Sequence, residues 1–253
     1  MKERLLVLAK AYPEYSTKYG TYLLCTAGIT EEGEWRRIFP IPMNTYLKIG
    51  KFSKRDWIEY EIKNTSPEYR KESRKIHGGS IKKVGKEKEH NVINMLREKI
   101  TTLEKLNEEK EKNNLSLGVI KPIISSFALK ERDTKEGEKF YELQQTLVPT
   151  FKREPIDKWP RYELFKCGKN CNKTHNAICE DIEVTELYRK VKNKYSDKHE
   201  DVIFLKVKQK LFDFMKKRDL YFIMGTHARY KTWLIISLIY PKYLGEPLNS
   251  WLS

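Results

Sequence analysis

The sequence predicts an α+β fold, a mixed and mostly antiparallel sheet with several helices. Three observations carry that expectation. Short aliphatic and aromatic runs separated by turn formers fill the first sixty residues, later stretches repeat apolar residues at helical spacing, and two further apolar runs close together lie near the far end.

Residues 5–10, 22–29, 35–41 and 57–63 read as strands, with a glycine-containing hairpin turn at 31–34. In the fourth run Ile58, Tyr60 and Ile62 alternate with Trp57, Glu59, Glu61 and Lys63, so one face is wet. Pro40 and Pro42 lack an N–H and should end the third strand or confine it to an edge. Residues 66–90 are rich in Lys and Arg with little apolar periodicity and read as a basic loop. A single helix is expected next, because Val92, Leu96, Ile100, Leu103 and Leu106 recur every three or four residues, with its end at Asn113 and Asn114. Strand-like composition resumes at 115–120 and 123–129, and 130–139 reads as a charged excursion.

The proline-bearing segment 150–160 is a candidate boundary between a sheet-rich region, 1–150, and a second region, 151–253, the two also being compatible with one integrated domain. Past it, 161–166 reads as a strand and 181–195 as a helix burying Ile182, Leu187, Tyr188 and Val191. That helix begins acidic and ends basic, which complements its dipole. A further helix over 197–218 is expected to bury Phe204, Val207, Leu211, Phe214 and Met215. Residues 220–224 and 232–240 read as interior strands.

With 39% apolar and 12% aromatic residues, 253 residues can bury a core, which excludes a disordered, collagenous or disulfide-stapled chain. Fifty Lys and Arg against 35 Asp and Glu leave a formal charge of +15, which points to a polyanionic neighbour, nucleic acid before membrane. No apolar run approaches the roughly 20 residues that span a bilayer. The apolar stretch 5–9 is too short for a secretory core, so a cytoplasmic location is expected.

Cys167, Cys171, His175 and Cys179 stand at a uniform spacing of four, separated by Gly and Asn turn formers. Three thiolates and an imidazole are a common structural zinc set. On one helix the four would be strung over about 18 Å and could not enclose an ion, so the ligands must converge from a loop. The fold expectation therefore includes a small zinc-stabilised loop with no open coordination position, which makes it structural rather than hydrolytic.

These features together lead to a basic, zinc-containing protein that binds RNA or DNA mainly by the phosphate backbone. The expected contacts are Lys18, Tyr19, Arg36 and Arg37 in the first sheet, Arg74 and Lys75 in the basic loop, Lys169 and Lys173 beside the cysteines, Lys206 and Lys210 on the second helix, and Arg229 and Lys231 between the last strands. Tyr19, Trp35 or Tyr230 could stack on exposed bases. The segment 15–19 is singled out because it joins hydroxyls, a cation and rings in one loop. An alternative is a metal-dependent nuclease using Asp56, Glu61 and Lys63, with His227 as a candidate base or phosphate ligand. A second alternative is an interaction module for an acidic protein. No phosphate-binding loop, dinucleotide fingerprint or serine nucleophile elbow occurs.

Overall fold

A computed structural model describes residues 1–64, 69–132, 156–227 and 231–242. Its first four long strands are β1 (Lys2–Lys10), β3 (Thr21–Thr30), β4 (Trp35–Pro42) and β5 (Asp56–Glu61), with a short β2 (Glu14–Ser16) between the first two. Pairing is antiparallel in the order β4-β3-β1-β5, and β2 pairs with the start of β3. The edges are β6 (Ser73–Arg74), parallel to β4, and β7 (Lys82–Lys86), antiparallel to β5. The segment expected as a basic loop therefore contributes two short edge strands, rich in the charges that discourage edge-to-edge pairing.

β1 is buried on both faces, which explains its unbroken apolar run. Leu5 and Val7 pack with Leu24, Ile38, Ile58 and Tyr60 on one side, under the short helix α1 (Met43–Lys48). Leu6 and Leu8 pack on the other with Ile29 and with Val92, Ile93 and Leu96 of helix α2 (Glu89–Arg97). Pro40 and Pro42 lie within β4, past Arg37 and Ile38 where β6 pairs, so the missing N–H groups fall where β4 has no second neighbour.

The expected single helix is two. Ile100 and Thr101 form a short strand, β8 (Ile100–Thr101), parallel to Val119 and Ile120 of β9 (Leu117–Ile120). Thr102 then caps a new helix, α3 (Leu103–Asn113), by accepting from the Lys105 N–H. Its end at Asn113 is as expected, and Asn114 takes the left-handed conformation that closes it.

β13 (Tyr221–Thr226) and β14 (Trp233–Ile239) join β9 and β8 in a middle sheet, in the order β14-β13-β9-β8. Tyr221 and Ile223 face the core shared with β1, while Phe222 and Met224 face the opposite core. That second core is covered by a third sheet, β10 (Ile123–Glu131), β11 (Lys158–Lys166) and β12 (His175–Ile178), and by helices α4 (Ile182–Lys194) and α5 (Glu200–Lys208). After α5 the chain makes a π turn, Gln209–Asp213, and a 3₁₀ turn, Met215–Lys217. The π turn advances the register, so Phe212 enters the core and Phe214, expected inside, is exposed. Val207, Leu211 and Met215 are buried as expected. Among the described residues no helix is long and apolar enough to cross a membrane.

A buried ion pair ties the first sheet to the others. Lys54, in the turn before β5, donates to Asp181 Oδ2 at 2.6 Å and to the Leu238 carbonyl of β14 at 3.2 Å. Asp181 is 0% exposed, caps α4 through the Glu183 N–H at 2.9 Å, and accepts from the Leu238 N–H at 2.8 Å. Burial works against the Lys54 charge, but Asp181 and Glu183 outweigh it and hold the ammonium above its ordinary range. Removing one partner of such a pair strands the other charge. Lys54→Met should therefore cost about 3–5 kcal/mol in urea unfolding, and a loss below about 1 kcal/mol would show the pair to be peripheral.

Candidate functional site

Three of the four expected ligands converge. Cys167 follows the end of β11, Cys171 sits in the turn closed by its N–H on the Gly168 carbonyl at 3.3 Å, and His175 opens β12. The fourth donor is Glu104 in the first turn of α3, and the donor atoms of Glu104, Cys167, Cys171 and His175 all lie within 4.8 Å of one another. Cys171 Sγ is 3.2 Å from His175 Nε2, and Glu104 is 3.3 Å from both Cys167 Sγ and His175 Nε2. Tetrahedral coordination of sulfur, nitrogen and oxygen ligands places donors about 3.3–3.8 Å apart, so the group could hold a metal ion. Burial pushes the Cys167 thiol up to about 12. Burial also opposes ionisation of Glu104, but its own backbone N–H, Cys167, Thr102 and His175 together hold it below the ordinary carboxylate range.

Cys179 stands outside this group. Four residue steps of extended chain carry it from His175, about 13 Å of travel, because β12 is a strand and not the loop that the spacing suggested. It is fully buried, bridges to Ile235 of β14, and burial raises its thiol further than that of Cys167. Glu104 could not be found by spacing, since it lies sixty-three residues before Cys167 in a helix crowded with carboxylates.

A cavity of about 520 Å³ opens where β2, β3, β4, β13 and β14 meet, lined by Tyr12, Tyr15, Tyr19 and Phe39, by Arg37 and Arg70, and by Glu14, Glu180 and His227, among others. Arg37 is 4% exposed and donates to the Ser116 carbonyl at 2.8 Å and the Thr226 carbonyl at 3.2 Å, while its Nε has no hydrogen-bond partner among the described residues. Glu72 binds the Ser116 and Leu117 N–H groups at 2.6 and 3.1 Å, so both polar groups of the Ser116 backbone end on a buried charge. Burial, reinforced by Glu14 and opposed by Arg132, pushes the Glu180 carboxyl up to about 8.

At the mouth, Tyr19 is 50% exposed with the Lys18 ammonium 5.8 Å from its ring centre. Beside Arg70, Tyr69 is 53% exposed with Arg70 at 5.4 Å and Lys231 at 5.9 Å from its ring centre. Lys63 and Lys75 line a second, smaller cavity on the other side of Tyr19. The segment 15–19 singled out from sequence thus supplies Tyr15, Ser16, Thr17 and Tyr19 to the cavity wall.

The remaining expected residues divide. Arg36 points away from Arg37 and is held by Glu3 and Glu34 at 2.8 and 2.9 Å, so its charge is used within the fold. Arg74 bonds the carbonyls of Lys71 and Ser73. Trp35 is half-buried against the core. Lys169 and Lys173 are exposed on the cysteine loop, and Lys206 and Lys210 on α5 and the turn after it, elements that do not line the cavity. Arg229 and Tyr230 lie outside the described residues. Asp56 and Glu61 open and close β5, about 17 Å apart along the strand, and Asp56 is taken by the Ser53 N–H and Lys83 at 2.8 and 3.0 Å. Those two carboxylates do not converge on one ion. His227 lines the tyrosine cavity instead.

Fold and site together define an α+β protein with a thiol, imidazole and carboxylate cluster at one end of its third sheet and a tyrosine-walled cavity at the seam of the other two. A family model described as a domain of unknown function (DUF8757) matches residues 98–251, more than half the chain, and the chain belongs to that family. A second, also described as a domain of unknown function (DUF8758), matches residues 1–105. No curated protein and no solved structure matches the chain.

Two outcomes follow from the geometry. Cys171→Ser and Glu104→Gln should each lower the metal content measured by elemental analysis, whereas Cys179→Ala should leave it unchanged; metal loss on removing Cys179 would contradict the ligand set. Because the Glu180 pKa is raised on folding, the unfolded chain holds fewer protons between the two values, and the associated stability, full below about pH 4.5, is lost as pH rises through about 8. Glu180→Gln should therefore raise the thermal midpoint relative to the parent above that pH and leave the difference small near pH 5, and parallel pH profiles would refute the shift.

Proposed function

We propose that this chain binds nucleic acid, chiefly through the phosphate backbone, along the rim of the tyrosine cavity. A zinc ion held by Glu104, Cys167, Cys171 and His175 would lock α3 to the end of the third sheet. One observation supports the interface above the others: Tyr19, in the cavity wall, and Tyr69, beside the wall residue Arg70, both stand half in water, Tyr19 with Lys18 near its ring and Tyr69 with Arg70 and Lys231. Exposed rings offer bases a stacking surface, and cations within reach of the same ring neutralise the phosphates that follow those bases. Lys63 and Lys75, next to Tyr19, extend the positive track.

Zinc suits a set of two sulfurs, one nitrogen and one oxygen, and four protein ligands leave no position for a substrate. Its contribution is rigidity. Binding of metal adds to folding free energy, because the four donors are not gathered in the unfolded chain.

Binding to single strands, followed by fluorescence anisotropy, should weaken with salt at a log-log slope of about −0.7 per phosphate contact. Replacing Lys18 and Lys231 by Ala together should reduce that slope by about 1.4. Absent or salt-independent binding would overturn the proposal, and an unchanged slope in the double variant would move the interface off this rim.

A further inference from the structure

The cavity behind that rim has a chemistry of its own. Its wall carries Tyr12, Tyr15, Tyr19 and Phe39 with Leu234 and Ile236, flat and apolar surfaces that suit a flat ligand. Its charged groups, Glu14, Glu180, Arg37 and Arg70, are of mixed sign. Arg37 cannot turn out toward solvent, because two of its nitrogens are committed to the Ser116 and Thr226 carbonyls, and its Nε is itself buried, so the guanidinium is a fixed part of the wall. The Glu180 carboxyl forms no hydrogen bond with any described side chain and, with its value pushed up to about 8, carries a proton at neutral pH. A protonated carboxyl both donates and accepts.

Charge decides which part of a nucleotide fits. Glu14 and Glu180 line the cavity, where a phosphate would meet a carboxylate, and the two arginines that also line it are used within the fold, Arg37 on the Ser116 and Thr226 carbonyls and Arg70 against the Tyr69 ring. Lys18 and Lys231, exposed and not part of the wall, lie instead beside the Tyr19 and Tyr69 rings. The neutral base therefore enters and the phosphate remains at the rim.

We infer that the cavity receives one unstacked base of a bound strand, its faces against the tyrosine rings and its edge hydrogen-bonded by Glu180. This rests on the proposed nucleic-acid interface and names what that interface reads. Swinging a base out costs least in single strands, so these are the substrate class.

The test compares two strands for binding to the full-length chain: one of abasic sugar-phosphate units throughout, the other identical but with a single central base. Phosphate contacts alone predict equal binding, and a base stacked only on Tyr19 or Tyr69 at the rim predicts an increment in the parent that is unchanged between pH 7 and pH 9, which would overturn the inference. The inference predicts that the base tightens binding about 5- to 100-fold near pH 7, as expected for one base stacked on aromatic rings. The increment should vanish near pH 9, where Glu180 ionises, and persist there in Glu180→Gln, whose amide keeps a donor and an acceptor. The charged and titratable groups around Glu180 are Glu14, Arg132 and, across the cavity, Arg37, Arg70, His227, Tyr12 and Tyr15. Glu180→Gln separates its titration from theirs, since all of them remain in the variant.

If both strands bind equally at about pH 7, the base assignment is overturned while the backbone interface stands. If neither strand binds at low salt, the nucleic-acid reading itself fails and a strand is not the source of the ligand, whether or not a nucleoside monophosphate binds. An increment that is lost near pH 9 in both proteins would overturn the role of Glu180.

Discussion

The centre of the molecule is arranged around a guanidinium that cannot reach bulk water. Arg37 points from β4 into the seam between the first and middle sheets and ends on the carbonyls of Ser116, before β9, and Thr226, at the end of β13. Desolvating such a charge costs several kcal/mol, and two charge-assisted hydrogen bonds at about 1.5–3 kcal/mol each are of the same size. Burial still holds the guanidinium below its ordinary range, and the buried carboxylate of Glu72, which binds the Ser116 and Leu117 N–H groups, offsets part of that cost. One cation thus closes the seam between sheets and also forms part of the cavity wall, which couples the fold to the site.

Two further devices hold the remaining sheet. On one side Lys54 and Asp181 join the turn before β5 to the cap of α4 and to β14. On the other, the Glu104, Cys167, Cys171 and His175 group joins α3 to both ends of the turn between β11 and β12. None of these side chains lines the cavity, so each device can be weakened without removing a cavity-lining side chain. The cavity sits where these restraints meet the half-exposed Tyr19, and a preorganised wall of that kind is what the proposed recognition of a base would use.

Much of this was legible in the chain. Apolar runs marked the long strands because β1 and β13 are buried on both faces, and Asp181 with its acidic first turn marked the start of α4. What escaped was set by distance in sequence. Helical spacing continued through Ile100, but a sheet edge formed by β9 pulled two residues out of it. Arg36 and Arg37 looked equivalent, yet neighbouring residues on a strand face opposite ways, and only Arg37 reaches the seam. Cys179 matched the spacing of its neighbours while an extended β12 carried it off, and Glu104 took its place from another element. Local composition singled out the segment 15–19, and Tyr15, Ser16, Thr17 and Tyr19 of it line the cavity wall.

The account is tested most directly by photo-crosslinking a single strand carrying 5-iodouracil to the full-length chain and mapping the adduct by mass spectrometry. Adducts on Tyr15, Tyr19 or Tyr69 are the predicted result, since those rings line or flank the cavity mouth. Adducts confined to the exposed aromatic Phe214 or to the lysine-rich face of α5 would place the nucleic acid elsewhere and contradict the account.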